Sequence, residues 1–292
     1  MPSPRGTVAR ALWALVEPLH ALTYFAPEPV GALKDVGYRG FWMGYFAGRA
    51  APLGAVGPAP VEALFYNFSP ARVARALPDA WEIAAPAAAL DARLAGSVAA
   101  LERCLGPVEE ADVLRAATLL ERAVAAAPPQ GRPLGAANQA LPTSENPLAR
   151  LWQAATTLRE HRGDGHVAAL LAHGLVGREV HVLHGLAHGT PAAVYETARD
   201  LPADEWARLT ESLRGRGLVE PGDDALSEEG RAVVGRVEDV TDTLSAPAYS
   251  VLDDAEVREL ATLLTPWRDA VVAAGDIPLR SPMGLDLRGD SS

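Results

Sequence analysis

Apolar positions recur at helical spacing along most of the chain. Leu12, Leu15, Leu19 and Leu22 share one face of a helix predicted over residues 9–25. Leu148, Leu151, Ala155 and Leu158 mark another such face just past the midpoint. Pro58 and Pro60 open a helix that runs to Phe65, Tyr66, Asn67 and Phe68. Ser69-Pro70 then places a capping serine before a proline suited to the first helical position. In the second half, a helix from Pro202 stops at Gly215 or Gly217. A short Gly-Leu-Val strand, a turn at Pro221–Asp224, a return strand at Ala225-Leu226 and a helix capped by Ser227 follow. Helix, strand, turn, strand, helix is the order of a winged helix.

The halves echo one another. Arg72, Val73, Leu77 and Ile83 align with Arg208, Leu209, Leu213 and Val219, and Leu90-Asp91 aligns with Leu226-Ser227, all at one offset of 136 residues. A tandem duplication accounts for this with the fewest assumptions. The predicted fold is mainly α, with two pseudo-symmetric winged-helix halves and small β-wings. The halves span 1–127 and 149–270. Between them lies a Pro/Gly-rich linker, 128–148, from which Arg132 and Asn138 can fold back on a pocket. A tail, 271–292, follows.

The apolar pattern breaks in one place. Leu158–Leu171 reads Leu-Arg-Glu-His-Arg-Gly-Asp-Gly-His-Val-Ala-Ala-Leu-Leu, a polar knot between two segments that want burial. Gly163 and Gly165 are expected to end one helix, which puts the knot at a helix–turn–helix joint. One reading makes it capping chemistry, with Arg159 and Arg162 at a helix C-terminus, Gly163 as C-cap and Asp164 as the next N-cap. That leaves Glu160, His161 and His166 unexplained. Burying so many charges is costly unless they are paired or hold a ligand, so the knot is also the leading candidate site. A second candidate is the aromatic stretch around residues 38–68, where Gly40, Gly44 and Gly48 form a smooth strip for close packing. Tyr45, Arg49, Tyr66 and Asn67 there, with Arg159 and Arg162, are the ligand-binding candidates. Glu160, His161, Asp164 and His166 are the catalytic candidates if the protein is an enzyme, with a histidine as base and a carboxylate orienting it.

Composition narrows the classes. The net charge of −11 argues against loose binding to phosphate backbones. Cys104 is the single cysteine, which excludes an intrachain disulfide and fits a reducing cytoplasm. No run of about 18 uncharged apolar residues predicts a membrane span, and Glu17 and His20 interrupt the apolar stretch behind Arg5 and Arg10, so no signal peptide is expected. Lys34 is the only lysine in an alanine- and arginine-rich chain. His181, His184 and His188 lie at i, i+3, i+7, which leaves a metal or haem site as a minor alternative. No P-loop, dinucleotide fingerprint or nucleophile elbow is present, so no cofactor is implied.

Gly48-Arg49-Ala-Ala-Pro-Leu-Gly54, Phe65-Tyr-Asn-Phe-Ser-Pro70, Gly131-Arg-Pro-Leu134 and Leu158–His166 together resemble an actinobacterial family whose members are labelled SalK or helix-turn-helix proteins. The resemblance covers nearly the whole chain. It implies tandem winged-helix domains loosely similar to MarR regulators, and it carries over no substrate and no functional residue. DNA is the partner such a fold invites, but Asp204 and Glu205 on the expected recognition helix, and Glu220, Asp223 and Asp224 at the wing, disfavour it. Two expectations follow. One is a ligand-responsive regulator with a small-molecule pocket between its halves. The other is an enzyme of actinobacterial specialised metabolism that uses the polar knot for acid–base chemistry and binds no DNA. Either way, Glu160→Gln or His166→Ala is expected to remove function while the fold persists.

Overall fold

Proline sets the start of many helices. Pro27, Pro58, Pro70, Pro86, Pro133 and Pro147 each occupy the first helical position, where the missing N–H costs nothing and φ is already helical. The computed structural model describes residues 4–278. Its helices are α1 (Pro4–Phe25), α2 (Pro27–Asp35), α3 (Gly40–Ala50), α4 (Pro58–Phe65), α5 (Pro70–Ala76), α6 (Asp79–Ile83), α7 (Pro86–Leu105), α8 (Glu110–Ala126), α9 (Pro133–Gln139), α10 (Pro147–Ala172), α11 (Glu179–His188), α12 (Ala192–Arg199), α13 (Ala203–Gly215), α14 (Glu228–Ser245) and α15 (Asp254–Ala273). Side-chain caps secure three of the later ones. Asn146 accepts from Ala149 N, Ser227 accepts from Gly230 N, and Asp253 forms a capping box with Glu256.

The long helices form a central layer. α1 crosses α10, and His20 Nδ1 meets Thr156 Oγ1 at 3.0 Å at the crossing. α1 also packs on α14 and α15 from the far end of the chain, while α10 packs on α7 and α8 from the near end. The halves therefore interlock. Leu12, Leu19, Leu22, Leu120, Leu151 and Trp152 are fully buried in this layer. Each such side chain contributes roughly 1.5–3 kcal/mol, which makes the crossing a firm platform. Two smaller lobes rise from it. One is built from α2–α7 around Phe46, Phe65 and Leu77; the other from the end of α10 with α11, α13 and α14 around Leu170, Leu183 and Leu213. Among the described residues no single helix is long and apolar enough to cross a membrane.

Three expectations change. The β-wings are absent: among the described residues no strand forms, and an antiparallel bridge between Val219 and Leu226 stands where the second wing was expected. In the first half no bridge forms, because Pro86 starts α7 three residues after α6 ends at Ile83 and leaves no room for a hairpin. Leu90, aligned with the return strand, lies inside α7.

The joint at Gly163 and Gly165 is also absent, since α10 runs unbroken from Pro147 to Ala172. Gly165 serves close approach instead, as does Gly135 of α9. A Cβ on Gly165 would lie 2.1 Å from Arg132 Nη1, and one on Gly135 would lie 2.8 Å from His161 Cα. The expected linker is likewise occupied. It contains α9, which docks on α10 with Arg132 and Asn138 buried. The glycine strip on α3 does pack closely: Leu33 of α2 sits against Gly44 and Gly48. Of the expected tail, the first residues continue α15, and residues 279–292 lie outside the described part.

Candidate functional site

A cleft of about 180 Å³ opens between the two lobes, above the central layer. α1 contributes Trp13 and Glu17, α3 contributes Tyr45 and Arg49, and α4 with the turn after it contributes Leu64 to Phe68. α10 supplies Arg159, Arg162, His166, Val167 and Leu170. α11 supplies Val180, His181 and His184, α12 ends in Arg199, and α14 adds Glu238 and Thr241. Every expected ligand-binding residue, Tyr45, Arg49, Tyr66, Asn67, Arg159 and Arg162, thus reaches one cleft, although they come from opposite halves.

The charges on its walls are mostly paired. Glu160 is only 2% exposed and receives both Nε and Nη2 of Arg49, at 2.9 and 3.0 Å, with Arg159 Nη1 at 3.1 Å. Burial pushes the Glu160 carboxyl up, but Arg49 and Arg159 outweigh it and hold the group well below the usual carboxylate range. Arg159 also reaches Glu17, which accepts from the Trp13 indole. Arg162 donates to Asp242 at 2.7 Å and to Glu238 at 3.3 Å, and Arg10 reaches the same two carboxylates.

Arg199 differs. Among the described residues it has no carboxylate partner. Its Nη1 donates to Ala198 O at 3.1 Å, its Nε is buried with no acceptor, and its guanidinium lies 4.4 Å from the Phe68 ring centre. Burial lowers its pKa to about 10, still a cation at neutral pH. His184 is the other group left open. Its Nδ1 meets the Tyr195 hydroxyl at 2.6 Å, while its Nε2 is buried without a partner. Burial lowers His184 and His181 to about 3, so both are neutral.

The four catalytic candidates separate. His166 lines the cleft, with Nδ1 3.0 Å from Thr241 Oγ1, and burial lowers its pKa. Glu160 is locked between two arginines. His161 and Asp164 point the other way, toward α9. His161 Nε2 meets Pro128 O at 3.2 Å, and Asp164 accepts from Gly135 N at 2.9 Å. Burial pushes Asp164 up to about 7 and His161 down to about 4. The acid–base pair expected of an enzyme is therefore not assembled in the cleft.

The histidine trio does not converge on a metal. His181 Nε2 meets Asn67 O at 2.9 Å, and His188 Nδ1 meets His184 O. Among the described residues no group of three His, Cys, Asp or Glu side chains is placed to hold a metal ion.

Sequence reasoning missed Arg199, Glu17, Glu238 and Asp242. Their spacing from the knot carries no signal. Glu17, Glu238 and Asp242 meet it because α1 and α14 pack on α10, and Arg199 at the end of α12 lines the same cleft.

The helix expected to read DNA, α13, has its arginines engaged. Arg208 pairs with Asp204 at 2.7 Å, and Arg214 pairs with Glu211 and Asp224. In the first lobe, Arg72 and Arg75 of α5 both bind Asp200 of the second lobe, and Arg72 also donates to Ala198 O. Tyr66 OH donates to Leu175 O across the same gap. These contacts hold the lobes together over the cleft.

No curated protein and no solved structure matches the chain. A family model described as a helix-turn-helix family matches residues 9–278. With nearly all of its described length inside that match, the chain belongs to this helix-turn-helix family.

Proposed function

We propose that this helix-turn-helix protein is a ligand-responsive regulator whose small molecule binds in the cleft between the lobes. The observation that carries the reading is the cleft itself. Side chains from both halves converge there, and two polar atoms on its walls, Arg199 Nε and His184 Nε2, have neither a hydrogen-bond nor an ion-pair partner among the described residues. Unsatisfied buried polar groups are costly in a native fold and call for an explanation; a ligand supplies one. The lobes that close over the cleft are the elements that carry α5 and α13, so a ligand between them is placed to shift Arg72 and Arg75 between Asp200 and a phosphate backbone. The crossed packing of α1 on α14 and α15, and of α10 on α7 and α8, supports reading the halves as a tandem duplication. Cys104 as the lone cysteine is consistent with a cytoplasmic regulator.

The regulator reading is preferred to the enzyme reading because His161 and Asp164 face away from the cleft and Glu160 is held ionised in an ion-pair network. The paired arginines of α5 and α13 also set the expected mode of DNA binding. Non-specific affinity comes from cations free to neutralise phosphates and falls steeply with salt, so random duplex should bind weakly at physiological salt. The test is fluorescence anisotropy against duplexes that tile the regions flanking its own gene. One selectively bound duplex, released or tightened by a small-molecule extract of the host, is the expected result. Failure to prefer any duplex, with or without extract, contradicts the regulator reading.

A further inference from the structure

We propose that the cleft takes a small monocarboxylate on a flat apolar body, with the Arg199 guanidinium receiving the carboxylate. The proposal rests on the cleft being a ligand site and names the chemistry of its occupant.

Four observations lead to it. First, the other arginines on these walls are already matched: Arg49 and Arg159 to Glu160 and Glu17, and Arg162 to Asp242 and Glu238. Arg199 is the cation left over. The groups that dominate its electrostatics are Tyr45, Arg49, Arg72 and Tyr195, with no carboxylate among them. Second, the free Nε belongs to a planar fork. That geometry suits a carboxylate taken through two parallel hydrogen bonds. Third, one uncommitted cation matches one negative charge. A phosphate dianion would call for a second cation or a nest of free backbone N–H groups. Fourth, the space is small and one part of its otherwise polar wall is apolar. Phe65, Phe68, Leu170 and Val180 face it, and about 180 Å³ suits roughly one ring, below the ~300–1,000 Å³ of pockets for larger ligands. His184 lines the same cleft, and its unpaired Nε2 offers a further polar contact for a ring substituent.

Arg93 provides the contrast inside the same molecule. It too is buried without a carboxylate, but it donates to Gly48 O at 3.0 Å and Asn138 Oδ1 at 3.3 Å, and the void beside it is only about 10 Å³. Its Nε is unpaired, as in Arg199, but it lies in a place with no room for a ligand. Arg199 instead lines a cleft that has the room.

The experiment is isothermal titration of the full chain with benzoate, benzamide and acetate. Wild type, Arg199→Gln, Arg199→Lys and Val167→Trp are compared, and the melting temperature of each is recorded. Benzoate is expected to bind at least tenfold more tightly than its neutral isostere benzamide or the ring-less acetate. Arg199→Gln should lose at least tenfold for benzoate and change benzamide little. It should melt no lower than wild type, since it removes an unpaired desolvated charge. Arg199→Lys keeps the charge but not the fork, and should fall between the two; it also serves if the glutamine variant does not fold. Equal binding of benzoate and benzamide, or benzoate binding unchanged in both Arg199 variants, overturns the carboxylate assignment. If Val167→Trp still abolishes binding in that case, the cleft stands as a ligand site and only its chemistry was misassigned. No benzoate binding to wild type also overturns the assignment. Binding that Val167→Trp leaves intact places the ligand elsewhere and defeats the cleft reading itself.

Discussion

Helix α10 turns two polar faces in opposite directions, and the two are stabilised by opposite means. Toward the cleft, Arg159, Glu160 and Arg162 are fully charged, and each charge meets an opposite one. Toward α9, His161 and Asp164 meet backbone groups, and burial drives both toward their neutral forms. The first face is a compensated network. The second is a buried, hydrogen-bonded seam in which Gly135 and Gly165 let α9 and Arg132 approach the helix. The difference shows that a dense polar stretch need not be one site. Its members are assigned by which side of the helix they leave from and by what waits there.

The largest expected effect breaks the charged face. Glu160→Gln leaves Arg49 buried without its carboxylate and Arg159 with Glu17 alone. Breaking such a pair costs about 3–5 kcal/mol, so urea unfolding should shift by that amount or the variant should not fold. This revises the expectation that Glu160→Gln spares the fold. A variant as stable as wild type would mean that water, rather than Glu160, balances the two arginines.

Next is the α9 seam. Gly135→Ala forces a methyl against the His161 backbone at 2.8 Å, and overpacking of that kind costs about 1–3 kcal/mol. Thermal melting checks it, with the exposed helical Gly235, which has open space around it, as the control.

Asp164 sharpens the contrast through pH. Burial raises its pKa from 3.8 to about 7, so between those values the folded state binds more protons than the unfolded chain. Stability from this group is therefore present at low pH and lost as pH rises through about 7. Asp164→Asn keeps an acceptor for Gly135 N and removes the titration. It should stabilise the protein at pH 8, on the order of 1–3 kcal/mol, and flatten the wild-type slope between pH 4 and 8. Glu160 titrates in the opposite sense, and its contribution disappears only toward acid. A melting curve series for Asp164→Asn that parallels wild type at every pH would show that Asp164 is ionised throughout.

The smallest effect falls on His166, whose side chain is 36% exposed and which holds one hydrogen bond, to Thr241. His166→Ala should cost about 0.5–1.5 kcal/mol and should alter ligand affinity more than stability. A larger loss in melting temperature would make it part of the network with Glu238 instead.

Much of this was legible in the chain. Leucine spacing and the proline-led starts specified the helices, and the aromatic stretch and the polar knot named most of the cleft wall. Two things hid. Gly163 and Gly165 read as a helix break because glycine lowers helix propensity, and nothing local showed that Arg132 needs the missing side chain of Gly165. With the helix unbroken, Arg159, Arg162, Gly163 and His166 fall at i, i+3, i+4 and i+7, and His161, Asp164 and Gly165 fall on the other side. Arg199 hid for a different reason. At the end of a short helix an arginine reads as a favourable charge for the helix dipole, and only the convergence of the lobes reveals that no carboxylate faces it.

The most direct test of the ligand cleft is native mass spectrometry of wild-type and Val167→Trp protein, each purified from its own host without denaturation. Wild type should carry a small organic adduct in one-to-one ratio, and the variant, with tryptophan filling the cleft, should be bare. An adduct of equal occupancy on both proteins, or none on either, would contradict the assignment of this cleft as the functional site.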